Sequence, residues 1–425
     1  MTIFVFLAAL LGSMAIGVPV AFALMFCGVV LMTYMGIFNP QIVAQNMIDG
    51  ANSFILLAIP FFILAGELMN TGGLSKRIIN FAIAFTGHVK GGLGIVAIIA
   101  AVIMASLSGS AAADSAALAA ILIPMMRDAG YDVPRSAGLV AAGGVVAPVI
   151  PPSIAFIIFG VAANVSITQL FIGGLVPGLL MGLGLVAAWM IVARRDKVEV
   201  LPKQNWRMRG RETVRAGWAL MMPVIILGGI RFGFFTPTEA GAVAAVYALL
   251  VGLFVYRELK PRDLYRVVLS AAKTTAAIMF LVSGALVSAW LITSANIPNE
   301  IIRMLAPVMD HPTLLLMMIM VLILIVSTSL DLTPTILILT PVLMPIIRQA
   351  GIDPVYFGVL FVMNTCIGLL TPPVGVVLNV VSGVARVPMG RVITGVWPFL
   401  LAHIIVLFLL VMFPSLVLVP LHWLR

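Results

Sequence analysis

Runs of apolar residues long enough to span a bilayer follow one another from end to end of this chain, separated by short polar or basic segments. No alternation of apolar and polar positions over about ten residues points to a membrane β-barrel. The pattern predicts an all-α polytopic membrane protein. In the first half, the apolar run 2–38 is too long for one span and divides into two short ones near Gly17 and Pro19. A third span covers 53–70. Apolar stretches on either side of the polar knot "SLSGS" place a paired element at 93–126. A span at 135–163 is interrupted by "VIPPS", and another covers 170–192. The second half repeats the order. It has spans at 217–232, 237–256 and 271–293, then a paired element at 313–347 around "STSLDLT". A span at 355–385 is interrupted by "LLTPPVG", and a last one begins near 392.

An offset of 221 residues carries Pro151 and Pro152 onto Pro372 and Pro373. It also lays "IPMMRDAGYD" on "MPIIRQAGID", Ser106 on Ser327, Ser108 on Ser329, Gly174 on Gly395, Pro177 on Pro398 and Pro40 on Pro261. Leu and Val match cheaply between apolar segments, but Pro, Gly, Arg and Asp at one offset do not. The chain divides into a first repeat at 1–192, a basic linker at 193–216 and a second repeat at 217–425. The paired elements read as re-entrant hairpins, because their flanks fall short of the ~20 residues a span needs and small polar residues hold their tips. Each repeat then crosses about five times, and an odd number inverts the second repeat against the first. Two full spans in place of each hairpin would leave that parity unchanged.

Composition agrees with the class: 62% of residues are hydrophobic and 9% charged, with a mean hydropathy of +1.21, against about 25% charged in a globular domain. The net charge of +9 is a topology signal rather than a nucleic-acid footprint. With the N-terminus outside, the inside segments 72–91, 127–135, 193–215, 257–273 and 385–391 hold 20 of the 24 Lys and Arg residues. Only Arg231, Arg303, Arg348 and Arg425 fall outside, so both termini are expected in the periplasm. The N-terminus is apolar from Ile3 with no basic region before it, and it reads as a mature span rather than a cleaved signal. Cys27 and Cys366 lie in apolar segments and read as core, and the histidines do not cluster as metal ligands.

The interruptions carry the candidate chemistry. Paired prolines remove backbone donors and stop a helix, which is costly in a bilayer unless the freed backbone lines a cavity. Unwound backbone offers carbonyls to cations, while half-helix N-termini favour anions. Beside the first break, "SLSGSAAADS" offers Ser106, Ser108, Ser110 and Asp114, with Gly109 permitting a tight reversal. Beside the second, "STSLDLTPT" offers Ser327, Thr328, Ser329, Asp331, Thr333 and Thr335. These oxygens suit a hard cation such as sodium, and a lone intramembrane carboxylate such as Asp331 suggests function. The alternative is that Ser and Thr bond back to their own helices. Asn164, Asn364, Thr365 and Asn379 follow or line the breaks, where they could contact substrate or satisfy backbone. Glu67 lies near a span end, and Glu239 could equally be a helix N-terminal charge after Thr236 and Pro237. The chain has no GxxxxGK[ST], HExxH or GxSxG motif, and nothing in it indicates an enzyme, a cofactor or a transition-metal site.

"SLSGSAAADSAALAAILIPMM", "GGVVAPVIPPSIAFIIFG", "FTPTEAGAVAAVYAL", "DLTPTILILTPVLMPI" and "GLLTPPVGVVLNVVSG" resemble the large membrane subunit of tripartite ATP-independent periplasmic (TRAP) transporters, over essentially the whole chain. The resemblance implies a sodium-driven importer of organic acids in the bacterial inner membrane. It also implies an elevator-type fold with scaffold and transport domains. The implied partners are a periplasmic binding protein and a small four-helix membrane subunit, here a separate chain because the sequence starts directly with the first repeat. It places one sodium site on Ser106, Ser108, Gly109 and Ser110 with Ala147, Pro148, Pro151 and Ser153. It places the other on Ser327, Thr328, Ser329, Asp331 and Thr333 with Gly368, Thr371 and Gly375. Sugar acids such as diketogulonate are the nearest substrate class, with C4-dicarboxylates and sialic acids as competitors. A sodium/anion carrier without a binding protein, and the passive membrane component of an ATP-driven importer, are the alternative readings.

Overall fold

The computed structural model describes residues 2–194, 198 and 200–423. Part of the predicted linker, with Arg195 and Lys197, lies outside the described residues, as does Arg425. The described residues form helices and no strands. In the first half these are α1 (Thr2–Ala15), α2 (Val20–Tyr34), α3 (Pro40–Ala51), α4 (Ala58–Thr71), α5 (Leu74–Thr86), α6 (Gly92–Ser108), α7 (Ala111–Asp128), α8 (Val133–Gly144), α9 (Ile154–Ala163) and α10 (Ile167–Ala193). In the second half they are α11 (Trp206–Arg231), α12 (Pro237–Leu250), α13 (Pro261–Ser294), α14 (Ile297–Met309), α15 (Pro312–Ser327), α16 (Leu332–Gln349), α17 (Pro354–Gly368), α18 (Val376–Ala385), α19 (Met389–Met412) and α20 (Ser415–Trp423).

The sequence offset is also a structural one. Shifting α7 by 221 residues gives the bounds of α16, and α6, α8, α9 and α10 fall within a few residues of α15, α17, α18 and α19. The local causes are copied too. Asp132 caps α8 by accepting from the Arg135 amide at 2.8 Å, and Asp353 caps α17 by accepting from the amides of Val355 and Tyr356 at 2.8 Å. Pro134 and Pro354 stand in the first turns, where a missing amide costs nothing. Gly130 and Gly351 take positive φ beyond α7 and α16. The next amides, of Tyr131 and Ile352, reach back to Met126 and Ile347 and close both C-termini alike.

Seven helical stretches among the described residues are long and apolar enough to cross a membrane, among them Phe54–Thr71, Ile167–Ala193 and Met389–Met412. The other apolar helices have 10–17 residues, including both members of the pair α1 and α2. Within the predicted hairpins, α6 and α15 have 17 and 16 residues, whereas α16 reaches span length at 18. The basic segment read as a linker is helical from Trp206, so α11 begins well before the predicted 217. No proline or paired glycine interrupts it there, and Glu212 accepts from Arg215 one turn on, at 3.0 Å.

Helices α2, α3 and α4 pack on α13, α4 on α12, and α5 on α11. Elsewhere α8 packs on α19, α10 on α19, α7 on α18, and α9 on α16. The last two pairs cross between repeats, so each hairpin leans on the broken span of the other half. At the centre, α17 is buried from Val355 through Gly368 and α8 from Ser136 through Gly144. The backbone just before each break is therefore held inside the protein.

Candidate functional site

The first hairpin tip faces the first break. Gly109 takes φ +62 between α6 and α7, and a Cβ there would stand 3.1 Å from the Pro152 carbonyl oxygen and 3.4 Å from Ser153 Cα. Ser110 caps α7, its hydroxyl accepting weakly from the Ala113 amide at 3.4 Å. Ser108 donates to Asp114 Oδ1 at 2.5 Å. Asp114 is 1% exposed, and its Oδ2 is buried with no hydrogen-bond partner among the described residues. A buried carboxylate oxygen left unpaired calls for a cation or a proton. Across the break, Ser153 donates to the Pro148 carbonyl at 2.5 Å and caps α9 through the Phe156 amide at 3.3 Å. The Pro151–Pro152 and Pro372–Pro373 peptide bonds are both cis.

The second tip meets the second break in the same way. A Cβ on Gly368 would overlap Ser327, whose Oγ would lie 2.1 Å away. The Val374 amide donates across the gap to the Thr328 carbonyl at 3.3 Å. Asp331 is the N-cap of α16, its carboxylate accepting from the Leu332 amide at 2.8 Å, at the position matching Ser110 under the offset. Thr371 donates to the Ile367 carbonyl at 3.1 Å, and Gly375 takes φ +50 just before α18. The surroundings differ between the copies. Ser108 and residues 145–153 are buried, whereas Ser329, Asp331, Pro373 and Val374 are exposed.

Both tips and both breaks open on one cleft of about 580 Å³. Its walls include Ser108 through Ala113, Ile154 and Ala155, Asp331 through Pro334, and Val376 and Val377. These are the first residues of α7, α9, α16 and α18, so four helix N-termini bring positive dipole ends to one space. Glu67 and Asp331 are acidic members of the lining, and among the described residues it contains no Lys or Arg. Glu67 accepts from Ser270 at 2.9 Å, which ties α4 to α13. Gly66 brings α4 against the first tip, where a Cβ would stand 3.2 Å from Ser108 Cβ.

Several predicted residues are engaged elsewhere. Ser106 and Ser327 bond back to the Ile103 and Leu324 carbonyls at 2.7 and 3.0 Å, the back-bonding alternative realised in both copies. Asn364 donates to the Met320 carbonyl at 2.6 Å and Thr365 to the Val362 carbonyl at 2.8 Å, both inside α17's buried surroundings. Asn379 donates to the Val374 carbonyl at 2.7 Å. Asn164 ends α9 in the left-handed region at φ 52. None of these four asparagine and threonine side chains lines the cleft among the described residues. Glu239 forms a reciprocal capping box with Thr236 and lies outside the cleft. Sequence reading passed over the walls that α4 and α13 supply through Gly66, Asn70, Thr274 and Ala277. Small and weakly polar residues inside apolar spans give no local signal of which helix they will meet.

Broken helices whose ends converge beneath two hairpin tips, inside an apolar helical bundle, define a multi-pass membrane permease. The family described as tripartite ATP-independent periplasmic transporter, DctM component, matches residues 7–416, and the chain belongs to it as a large permease protein. The chain is 54% identical over 425 residues to the 2,3-diketo-L-gulonate TRAP transporter large permease protein YiaN of Escherichia coli, covering 100% of both. It is 38% identical over 405 residues to the sialic acid TRAP transporter large permease protein SiaM of Vibrio cholerae, covering 95% of each. A solved structure of the Alcanivorax borkumensis YdaH transporter, described as having an unusual topology, matches with a TM-score of 0.64 and 15% identity over 87% of this chain and 86% of that one. At that identity the likeness is one of fold.

Proposed function

We propose that this permease imports a small organic acid anion together with sodium ions, by alternating access. The observation that supports this most directly is the cleft's mixed electrostatics. Four helix N-termini suit an anion, yet Glu67 and Asp331 line the same space and the Ser108–Asp114 pair closes one wall. An anion entering alone is repelled by those carboxylates, and among the described residues the lining has no basic side chain to offset them. A cation bound at each hairpin tip removes the repulsion, so anion and cation favour one another's entry. Hydroxyl, carbonyl and carboxylate oxygens at the tips are the donor set sodium takes. The first set would draw on Ser108, Ser110, Asp114 and the backbone around Ala147 and Pro148, and the second on Thr328, Ser329, Asp331, Thr333 and the backbone from 368 to 375.

A sugar acid is the favoured substrate class, given the diketogulonate permease at 54% identity. The chain would work in a bacterial inner membrane with both termini in the periplasm, following the distribution of Lys and Arg. A periplasmic binding protein would deliver the substrate, and a small membrane subunit would complete the assembly. The hairpins would move with α8–α10 and α17–α19 against the remaining helices, in an elevator motion. The test is uptake into proteoliposomes holding both membrane subunits and supplied with the binding protein. Accumulation should require an inward sodium gradient, and accumulation that ignores sodium and follows ATP would sink the proposal.

A further inference from the structure

Four histidines are scattered through the chain, and one of them reaches the first break. His403 of α19 is fully buried, and its Nε2 lies 2.9 Å from the carbonyl oxygen of Ala142 in α8. A carbonyl only accepts, so Nε2 carries the proton and donates it. Nδ1 is buried and reaches no partner among the described residues. Among those residues, the ring's hydrogen bonding is aimed at α8 alone.

The carbonyl it meets is one that the break sets free. In a continuing helix the Val146 amide would donate to Ala142. Here it turns instead to Gly143 at 3.1 Å, and the Ala147 amide turns to Gly144 at 3.1 Å, as the end of α8 tightens ahead of Pro151. His403 stands in for the missing amide. A freed carbonyl inside an apolar bundle needs such a donor. The reach is possible because α8 and α19 meet backbone to backbone: a Cβ on Gly138 would stand 2.6 Å from the carbonyl carbon of Gly395.

The second copy is built differently. Under the offset His403 falls on Gly182, which has no side chain to donate. There Thr371 secures the break from within, donating to the Ile367 carbonyl at 3.1 Å. The first break has Ile150 at that position and draws the donor for α8 from α19 instead.

We propose that His403 is a positioning residue for the cation held at the first break, an inference that rests on the sodium-coupled reading above. It touches no cation itself. It fixes the end of α8, from which the backbone leads directly into Ala147 and Pro148. With that end loosened, the ligand oxygens must be ordered when the cation binds, and affinity falls.

The test compares His403→Leu, which removes the donor, with His403→Gln, whose amide N–H can reach the same carbonyl. Melting of the purified full chain is followed in rising sodium chloride against potassium chloride at matched ionic strength, and uptake into proteoliposomes is titrated with sodium. In His403→Leu, half-saturating sodium should rise about fivefold in both measurements, the equivalent of one ordinary hydrogen bond, while uptake at saturating sodium stays near wild type. His403→Gln should keep the wild-type value. His403→Asn, whose shorter amide stops short of α8, should behave as His403→Leu and replaces it if that variant does not fold. Half-saturating sodium unchanged in these donor-less variants, whatever their melting temperature, would make His403 a packing element and overturn the inference. The same loss in His403→Gln as in His403→Leu would overturn it too. A wild-type chain that melts alike in sodium and potassium, with uptake indifferent to both, would sink the sodium reading and this inference with it.

Discussion

Arg127 at the end of α7 donates to the carbonyl of Ala385 at the end of α18, at 3.1 Å. Its counterpart under the offset, Arg348 at the end of α16, donates to the carbonyl of Ala163 at the end of α9, at 2.8 Å. Each hairpin thus places a cation on the C-terminal dipole of the half-helix that belongs to the other repeat. Replacing either arginine with methionine should lower stability by about 1 kcal/mol, a modest figure because both side chains are partly solvated. Thermal unfolding of the purified variants reads this directly, and wild-type curves for both would show that the contacts hold nothing.

Asp114→Asn tests the buried carboxylate at the first tip. The amide can still accept from Ser108 but carries no charge for a cation. Half-saturating sodium for uptake should rise about tenfold, equivalent to about 1.4 kcal/mol. Unchanged sodium dependence in a variant that inserts normally would remove Asp114 from the site.

Asp331 needs a pair of variants, because its carboxylate also caps α16 through the Leu332 amide. Asparagine is as good a cap as aspartate, so Asp331→Asn should weaken sodium-driven uptake at little cost to folding. Asp331→Ala should add a stability loss of about 1 kcal/mol. Sodium titrations and melting curves on both separate the two roles. Equal sodium dependence in wild type and Asp331→Asn would leave the residue a cap alone.

Gly368→Ala places a methyl group against Ser327, where the nearest atom would lie only 2.1 Å away. The second tip must shift away from its break, at a cost of about 1–3 kcal/mol. Uptake should fall at saturating sodium while membrane insertion is retained, as judged by chromatography and uptake assays on the same preparation. Uptake at the wild-type rate would mean that this approach does not matter to transport.

Glu239→Ala serves as the contrast. It breaks the capping box at the start of α12 and should cost about 1 kcal/mol. Half-saturating sodium should stay at the wild-type value, since Glu239 does not line the cleft. A shift in sodium dependence there would show that scaffold stability alone perturbs the assay.

The duplicated hairpin and break elements were legible because Pro, Gly, Asp and Arg repeat at one offset, and each has a local structural consequence. Gly130 and Gly351 end helices, and Asp132 and Asp353 begin them. What one sequence could not show is which elements meet. Ser108 touches Gly66, and α7 lies on α18 of the other repeat as well as on α8 of its own. Those contacts are fixed by surface shape among apolar helices, where many pairings look alike on paper. The same limit applied to Asn364 and Thr365. Their polarity left open whether they contact substrate or satisfy backbone, and their hydrogen bonds run to carbonyls of α15 and α17.

The two breaks are copies in sequence and unlike in burial. Residues 145–153 are enclosed, while Pro373 and Val374 stand open beside Ser329 and Asp331. The two copies of one device thus differ in how far solvent reaches them. Gly66 leaves only enough room for Ser108 to rest against α4, so a single methyl group at that glycine would press directly on the more enclosed of the two tips.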